Sequence, residues 1–452
     1  MIEMTLAQAA TILHTDILAL SADTLFNGIS IDTRTLQRGN LFVAIKGAHV
    51  DGHDYIESAY EKGAAAALIT QPVSSLLPQL RVVNTITAMG LLAANWRKRF
   101  QIPMIAVTGS SGKTTLKNMI AAILTAACQG KNESVLATHG TLNNHLGLPL
   151  TLARLHTQHR FAVVEMGMNH FGEIEYLTQL AKPTIAVITN AAACHLEGVG
   201  DIAGVACAKA EIFLGLSTNG IAILNRDDVF FTFWQEQIKN HLYSSFGYHP
   251  NADIRAKIHH SAQKSAITLC TPKGNINLNL PLLGKHNILN ALAATATTLS
   301  IGIDLATIKQ GLENLHPAPG RLQLHTLANG VNIIDDTYNA NPFSLQAAVE
   351  TLATFEGKKI LVLGDMKELG VEAKPIHFTA GEKIREAGIN YLFTYGELSA
   401  YSANAFGEGA YHFDEQKKLI DALKPLLHNQ TTILIKGSRS MRMEKIVAEL
   451  IL

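Results

Sequence analysis

From residue 104 onward, short apolar runs alternate with helical stretches: MIAVT then KTTLKNMIAAILTAA, FAVVEM then GEIEYLTQL, followed by TIAVITN and GIAILN. The pattern resumes later as VNIIDD, KKILVLGD, INYLFTYG and TTILIKGS. Apolar strands separated by helix-length segments fold as parallel α/β sheets with helices on both faces. Two breaks divide the chain. Before about residue 84 the texture differs: a helical pattern at 5–13, short strands at 28–31 and 40–45, a helix at 53–62, and the run AAAALIT. There QPVSSLLPQL behaves as a turn-rich connector. At HPAPGR, residues 316–321, two prolines and a glycine interrupt a helical stretch. The expected fold is therefore α/β in three domains: a small α/β domain over 1–84, a central parallel-sheet domain over 85–316, and a C-terminal Rossmann-like domain over 317–452. The length, 452 residues, agrees with about 150 residues per domain.

Composition narrows the function classes. Lys and Arg total 37 against 37 Asp and Glu, so nothing points to a general nucleic-acid binder or an acidic solvating chain. Hydrophobic residues at 47% and charged residues at 16% suit a chain with ample core. No run reaches the roughly 18 apolar residues of a membrane helix, and the first residues carry no basic region of a signal peptide. Cys128, Cys194, Cys207 and Cys270 show no CxxC spacing and are expected to be reduced core thiols in a cytoplasmic protein.

The sharpest local signal is MIAVTGSSGKTT. A strand ends at Thr108 and a helix begins near Lys113. Between them Gly109, Ser110, Ser111 and Gly112 form a turn whose backbone N–H groups can approach phosphate oxygens, aided by the helix N-terminus. Lys113 would reach the outer phosphates and the Thr114 hydroxyl is placed for Mg²⁺, with Thr115 beside it. The usual spacing wants a glycine where Val107 stands, so this is a shortened variant. A Gly/Ser turn with a surface lysine is the plainer alternative; strand, loop, GKT and helix together favour an ATP or GTP site.

Ligands of open parallel sheets bind outside the carboxyl ends of the strands. Glu165 closes FAVVEM, and an acidic residue there needs a partner such as a metal ion, with a structural hydrogen bond as the second reading. Asn190 closes TIAVITN and His195 follows, a lone histidine being more often structural than a ligand. Lys209 in GVACAKAEIF reads by default as a solvated helix residue. Arg321 in PAPGRLQ can fold over a nucleotide from the domain boundary. Asp336, Asn339 and Asn341 in DDTYNANP form a polar cluster that a turn alone would also explain.

Together, TGSSGKT, the Glu165 strand, NAAACHLEG, AKAEIF, GKHNILNALAA, PGR and DDTYNANP resemble the ATP-dependent Mur ligases, which add amino acids to the UDP-linked peptidoglycan precursor. SIDTRTLQRGNLFVAIKG, GTLNNHLGLP, GDMKELG and KGSRSMRMEKIV are similar to the branch that joins D-alanyl-D-alanine to UDP-N-acetylmuramoyl-tripeptide. No DNPR-type motif of the diaminopimelate- or lysine-adding relative is present. The resemblance spans essentially the whole chain. It implies a UDP-binding first domain with Ser30, Arg34 and Lys46 as matching positions, and Thr141, Asn143 and Asn144 facing the muramoyl-peptide. It implies two Mg²⁺ ions, one on Thr114 and Glu165, the other on His195 and a carbamylated Lys209. Asn287 and Asn290 would reach adenine, Arg321 the γ-phosphate and Asp336 the ribose. Cys207 stands where relatives often carry lysine or a polar residue, and Pro342 stiffens a loop where relatives vary. A cytoplasmic monomer without nucleic-acid partner or membrane insertion is expected. A folate polyglutamate-type ligase would lack a domain like residues 1–84, and an ATP-hydrolysing switch would not need one.

Overall fold

The computed structural model describes residues 1–17, 22–259 and 265–451. The alternation becomes two six-stranded sheets. In the central one the order is Leu242–Phe246, Ile221–Asn225, Ile185–Ile188, Met104–Thr108, Phe161–Glu165, Val135–Ala137, and every pair is parallel. After Met104–Thr108 the chain first builds outward through Val135–Ala137 and Phe161–Glu165, then reverses to Ile185–Ile188 on the opposite side. Met104–Thr108 is thus the switch point, where the loops at the strand ends part and leave a crevice.

The C-terminal sheet runs Gln323–Thr326, Asn332–Asp336, Thr431–Lys436, Lys358–Gly364, Tyr391–Tyr395, Ala410–Phe413, parallel except for its first pair. The first segment holds a four-stranded parallel sheet, Ile29–Ser30, Leu41–Val43, Ala66–Ile69 and Gln79–Arg81. Its last strand corrects the reading of QPVSSLLPQL as connector only. The Gln79 side chain bonds both backbone groups of Val73, at 3.1 and 2.7 Å, which closes the turn and lets the chain re-enter the sheet. A three-stranded antiparallel sheet, Arg255–His259, Ser265–Thr271 and Gly274–Leu280, was not anticipated.

One hydrophobic layer runs without interruption from Ile2 and Phe26 through Leu92 and Ala106 to Trp234, so the first sheet and one face of the central sheet share a core. The other face of the central sheet is covered by Lys113–Ala127 and Lys285–Leu299. Burying this much aliphatic surface is the main drive for the central fold. The four cysteines are free, but only Cys128 and Cys194 are buried; Cys270 is partly exposed and Cys207 exposed, against the expectation of core thiols. Helix Ile202–Ala210 turns Val205, Ala206, Ala208 and Lys209 inward, which leaves position 207 facing out. Among the described residues no helix is long and apolar enough to cross a membrane.

Candidate active site

The turn after Met104–Thr108 is built by two glycines. Gly112 has φ 85° and starts helix Lys113–Ala127. Gly109 has φ 150°, and a Cβ there would run into the Thr189 hydroxyl. Only glycine gives both the backbone angle and the close approach. Asn190 braces the loop from the next strand: its Oδ1 accepts the Ser111 N–H at 3.0 Å and its Nδ2 donates to the Ser111 carbonyl at 3.2 Å. The Ser110 hydroxyl bonds the Ala192 backbone in both directions, at 3.0 and 2.9 Å. Lys113 Nζ donates to the Gly109 carbonyl at 2.7 Å, so the ammonium curls over its own loop.

This loop floors a cleft of about 330 Å³ between the central and C-terminal sheets. Ser110 to Thr115, Thr141, Asn143, Glu165, Asn190, Asn287 and Asn290 line it from the central side; Arg321, Asp336, Asn339 and Asn341 line it from the other. Arg321 Nη2 lies 3.2 Å from Thr114 Oγ1, and its guanidinium stacks on Tyr338 at 4.1 Å. Asn341 caps helix Pro342–Ala353 through Ser344 N at 2.8 Å, and its Nδ2 reaches Ser111 Oγ at 3.4 Å. DDTYNANP therefore does more than turn the chain, and Pro342 takes the first helical position, where its missing N–H costs nothing. Asn287 and Asn290 are buried; Asn290 packs on Gly112, where a Cβ would meet its Oδ1 at 2.6 Å.

Glu165 is 1% exposed. Its Oε1 accepts Asn143 Nδ2 at 2.8 Å, while Oε2 is buried without a partner. A carboxylate oxygen left bare in this way costs more than a hydrogen bond is worth. It faces the same cleft as the Thr114 hydroxyl.

Lys209 is 2% exposed, which overturns the solvated reading. Burial, reinforced by the charge of Lys113, holds its ammonium down to about 7. His195 takes φ 53° ahead of the short helix Leu196–Val199, an uncommon conformation for a residue with a Cβ. Burial first, then Lys113 and Lys209, push its imidazole down to about 4, so it is neutral at pH 7. Its Nδ1 stands 3.5 Å from Glu368 Oε2, in the GDMKELG loop of the C-terminal sheet. His195 and Lys209 lie within electrostatic reach of Lys113 without lining the cleft itself. Among the described residues no three His, Cys, Asp or Glu side chains gather as a ready metal cluster.

Sequence reasoning passed over His286, Tyr338, Phe343 and Lys436, which also line the cleft. GKHNILN carried the signal for His286, adjoining two residues already singled out. Ser30, Arg34 and Lys46 sit apart: Ser30 closes the first strand of the first sheet, and Arg34 and Lys46 follow the ends of its first two strands. Ser30 is buried, with its hydroxyl on the Asp32 carbonyl at 2.9 Å, whereas Lys46 is exposed. Arg34 forks onto Asp32 at 2.7 to 3.1 Å and holds that carboxyl at about 2. Asn144 Oδ1 accepts the backbone N–H groups of Leu146 and Gly147 at 3.1 and 2.9 Å, in the turn that leads into helix Gly147–Leu152.

A glycine turn at the switch point of one parallel sheet, faced by an arginine that leads into a second sheet, is a setting in which open α/β folds bind ligands. The chain belongs to the Mur ligase family. It matches the Mur ligase family catalytic domain over residues 25–97, the Mur ligase middle domain over 107–298 and the Mur ligase glutamate ligase domain over 320–439. It is 44% identical to UDP-N-acetylmuramoyl-tripeptide–D-alanyl-D-alanine ligase of Escherichia coli, with 100% of this chain and 99% of the relative covered. A crystal structure of MurF from Acinetobacter baumannii superposes with a TM-score of 0.94 at 33% identity, over 100% of this chain and 99% of the other. MurF ligase from Thermotoga maritima, solved in complex with ADP, superposes with a TM-score of 0.82 at 26% identity, covering 93% and 96%.

Proposed function

We propose that this chain joins D-alanyl-D-alanine to UDP-N-acetylmuramoyl-tripeptide with ATP, through an acyl phosphate, giving the UDP-linked pentapeptide, ADP and phosphate for peptidoglycan synthesis. The observation that carries the reading is Arg321 at 3.2 Å from Thr114: two domains bring cationic groups to one phosphate loop.

A carboxylate is a poor acyl donor, because its charge repels nucleophiles and oxide does not leave. Transfer of the γ-phosphoryl group onto the tripeptide carboxylate makes phosphate the leaving group. The dipeptide amine then attacks the carbonyl carbon, and phosphate departs from the tetrahedral intermediate. Both steps crowd anions together, so the site needs positive charge aimed at the transferring group. Lys113 and Arg321 supply it from opposite walls, and the backbone N–H groups from Ser110 to Thr115 hold the β-phosphate side. Asn287 and Asn290 border the adenine, Asp336 the ribose, and Thr141, Asn143 and Asn144 the muramoyl-peptide. The division at about 84 and 317 gives the first domain the uridine diphosphate, with Ser30, Arg34 and Lys46. The proposed setting is the cytoplasm, as a monomer.

The donors suit Mg²⁺. The bare Glu165 Oε2 and the Thr114 hydroxyl are hard oxygen ligands on one cleft. His195 and Lys209 offer two nitrogens, which suit Mg²⁺ poorly; Lys209 held near 7 keeps the neutral amine that reacts with CO₂, and the resulting carbamate offers oxygens. When bound, Mg²⁺ would neutralise phosphate charge as it develops.

The test is phosphate release from ATP with UDP-N-acetylmuramoyl-tripeptide, with and without D-alanyl-D-alanine. Release coupled to pentapeptide formation and dependent on both substrates is expected. Steady ATP hydrolysis with neither would favour a nucleotide switch instead.

A further inference from the structure

Lys436 is 2% exposed, yet it lines the nucleotide cleft. It closes strand Thr431–Lys436 and is the register partner of Asp336, which closes the neighbouring strand. Its Nζ lies 2.5 Å from Asp336 Oδ2 and donates to the Asn339 carbonyl at 3.0 Å. The Asp336 side chain keeps 14% of its surface, on the cleft it lines. The phosphate chemistry above leaves this lysine without a task.

Burying a lysine and a carboxylate is expensive, and apolar residues of similar volume would often pack there at lower cost. An apolar pair could not present an ionised oxygen in a set direction. Burial raises the Asp336 carboxyl above its ordinary range, and Lys436, followed by Arg321, opposes that shift without cancelling it. A protonated carboxyl would carry a donor of its own, whereas an ionised one accepts from two neighbouring hydroxyls. The vicinal hydroxyls of a ribose are two such donors.

We propose that Lys436 is the positioning residue for the nucleotide sugar: it grips Asp336 Oδ2 and the Asn339 carbonyl, turns the remaining carboxylate face toward the 2′- and 3′-hydroxyls, and so makes the cleft select ribonucleotides. The inference rests on Asp336 bordering the ribose. Lys436 acts through Asp336 and does not touch the reacting atoms.

The experiment compares ATP with 2′-deoxyATP and 3′-deoxyATP, by direct calorimetric binding and by KM in ligation. Wild type should bind at least one deoxy analogue about tenfold more weakly, the size expected for a lost hydrogen bond to a charged acceptor. In Lys436→Met the affinity for ATP should fall toward that of the deoxy analogues, collapsing the ratio to about one, with the loss in KM exceeding that in kcat. Lys436→Arg keeps the charge and should restore part of the preference. If Lys436→Met fails to fold because Asp336 is stranded, the paired variant Asp336→Asn/Lys436→Met, which leaves no buried charge, should show the same collapse. A folded variant of either kind that keeps the wild-type ratio overturns the proposal, as does a wild type indifferent to both deoxy analogues. Because binding is read without ligation, a chain that discriminates the sugars but makes no pentapeptide would sink the ligase reading and leave Lys436 standing.

Discussion

Two regions of the molecule set basic residues beyond the carboxyl ends of parallel strands, and they treat them differently. In the cleft Lys113 rests on a carbonyl and Arg321 on a hydroxyl and an aromatic face. Neither forms an ion pair among the described residues. At the edge of the first sheet, Arg34 is 85% exposed and already neutralised by Asp32 at 2.7 Å. A cation without a counter-ion in a partly enclosed cleft acts on an arriving phosphate at low dielectric. One that is solvated and paired must exchange its partner first and is screened by salt. Sensitivity to single substitutions should therefore be concentrated in the cleft.

The sharpest attempt to break this contrast is Lys113→Ala. With the fold intact by circular dichroism, ligation should fall by about 10² to 10³, as when one positioned transition-state donor is removed. Near-normal turnover would mean that the loop does not hold the transferring phosphate.

Next comes Lys209. If it serves as a carbamate, Lys209→Arg should be nearly as damaging as Lys209→Ala, each losing roughly a hundredfold, because guanidinium cannot form the carbamate. Ligation is measured at saturating ATP, Mg²⁺ and both substrates, with thermal melts to separate lost folding from lost chemistry. Wild-type activity in the arginine variant rules the carbamate out.

At the sheet edge the expected effects shrink. Arg34→Ala should raise KM for the UDP substrate by about threefold with kcat unchanged, since an exposed pair is worth at most about 1 kcal/mol. A hundredfold loss there would erase the distinction between the two regions. Point substitution is the cleaner probe, because deleting residues 1–84 would strip the core that the first sheet shares with the central one.

The smallest effect belongs to Asp32. Its carboxyl sits at about 2, below the unfolded value of about 3.9. The pair's contribution is thus fully present above about pH 4 and is lost as pH falls through about 2. The melting temperature of wild type should exceed that of Asp32→Asn slightly at neutral pH, and the gap should close between pH 4 and pH 2. A gap that persists below pH 2 would assign the difference to packing.

Some features were legible because their causes are local. The turn after Met104–Thr108 needs only strand, glycines and helix start, all within residues 104–115. Other features had no local signature. Helix Ile202–Ala210 is rich in small residues, so its pattern could not tell that Ile202 is exposed and Lys209 buried. Strands Leu242–Phe246 and Ala410–Phe413 lie at sheet edges with half-exposed side chains and lack the continuous apolar run of a central strand. Lys436 reads as the polar end of ILIKGS.

By itself the sequence determined the parallel α/β class and the glycine turn between Thr108 and Lys113, since periodicity and glycine conformations act over a few residues. Only the tertiary structure decided which distant groups face the turn. Asp336 meets Lys436 across 100 residues, Arg321 meets Thr114 across 207, and Asn341 meets Ser111 across 230. Those meetings depend on strand order, register and the seating of one sheet above another. They are set by the packing of whole layers, to which no short stretch of chain holds the key.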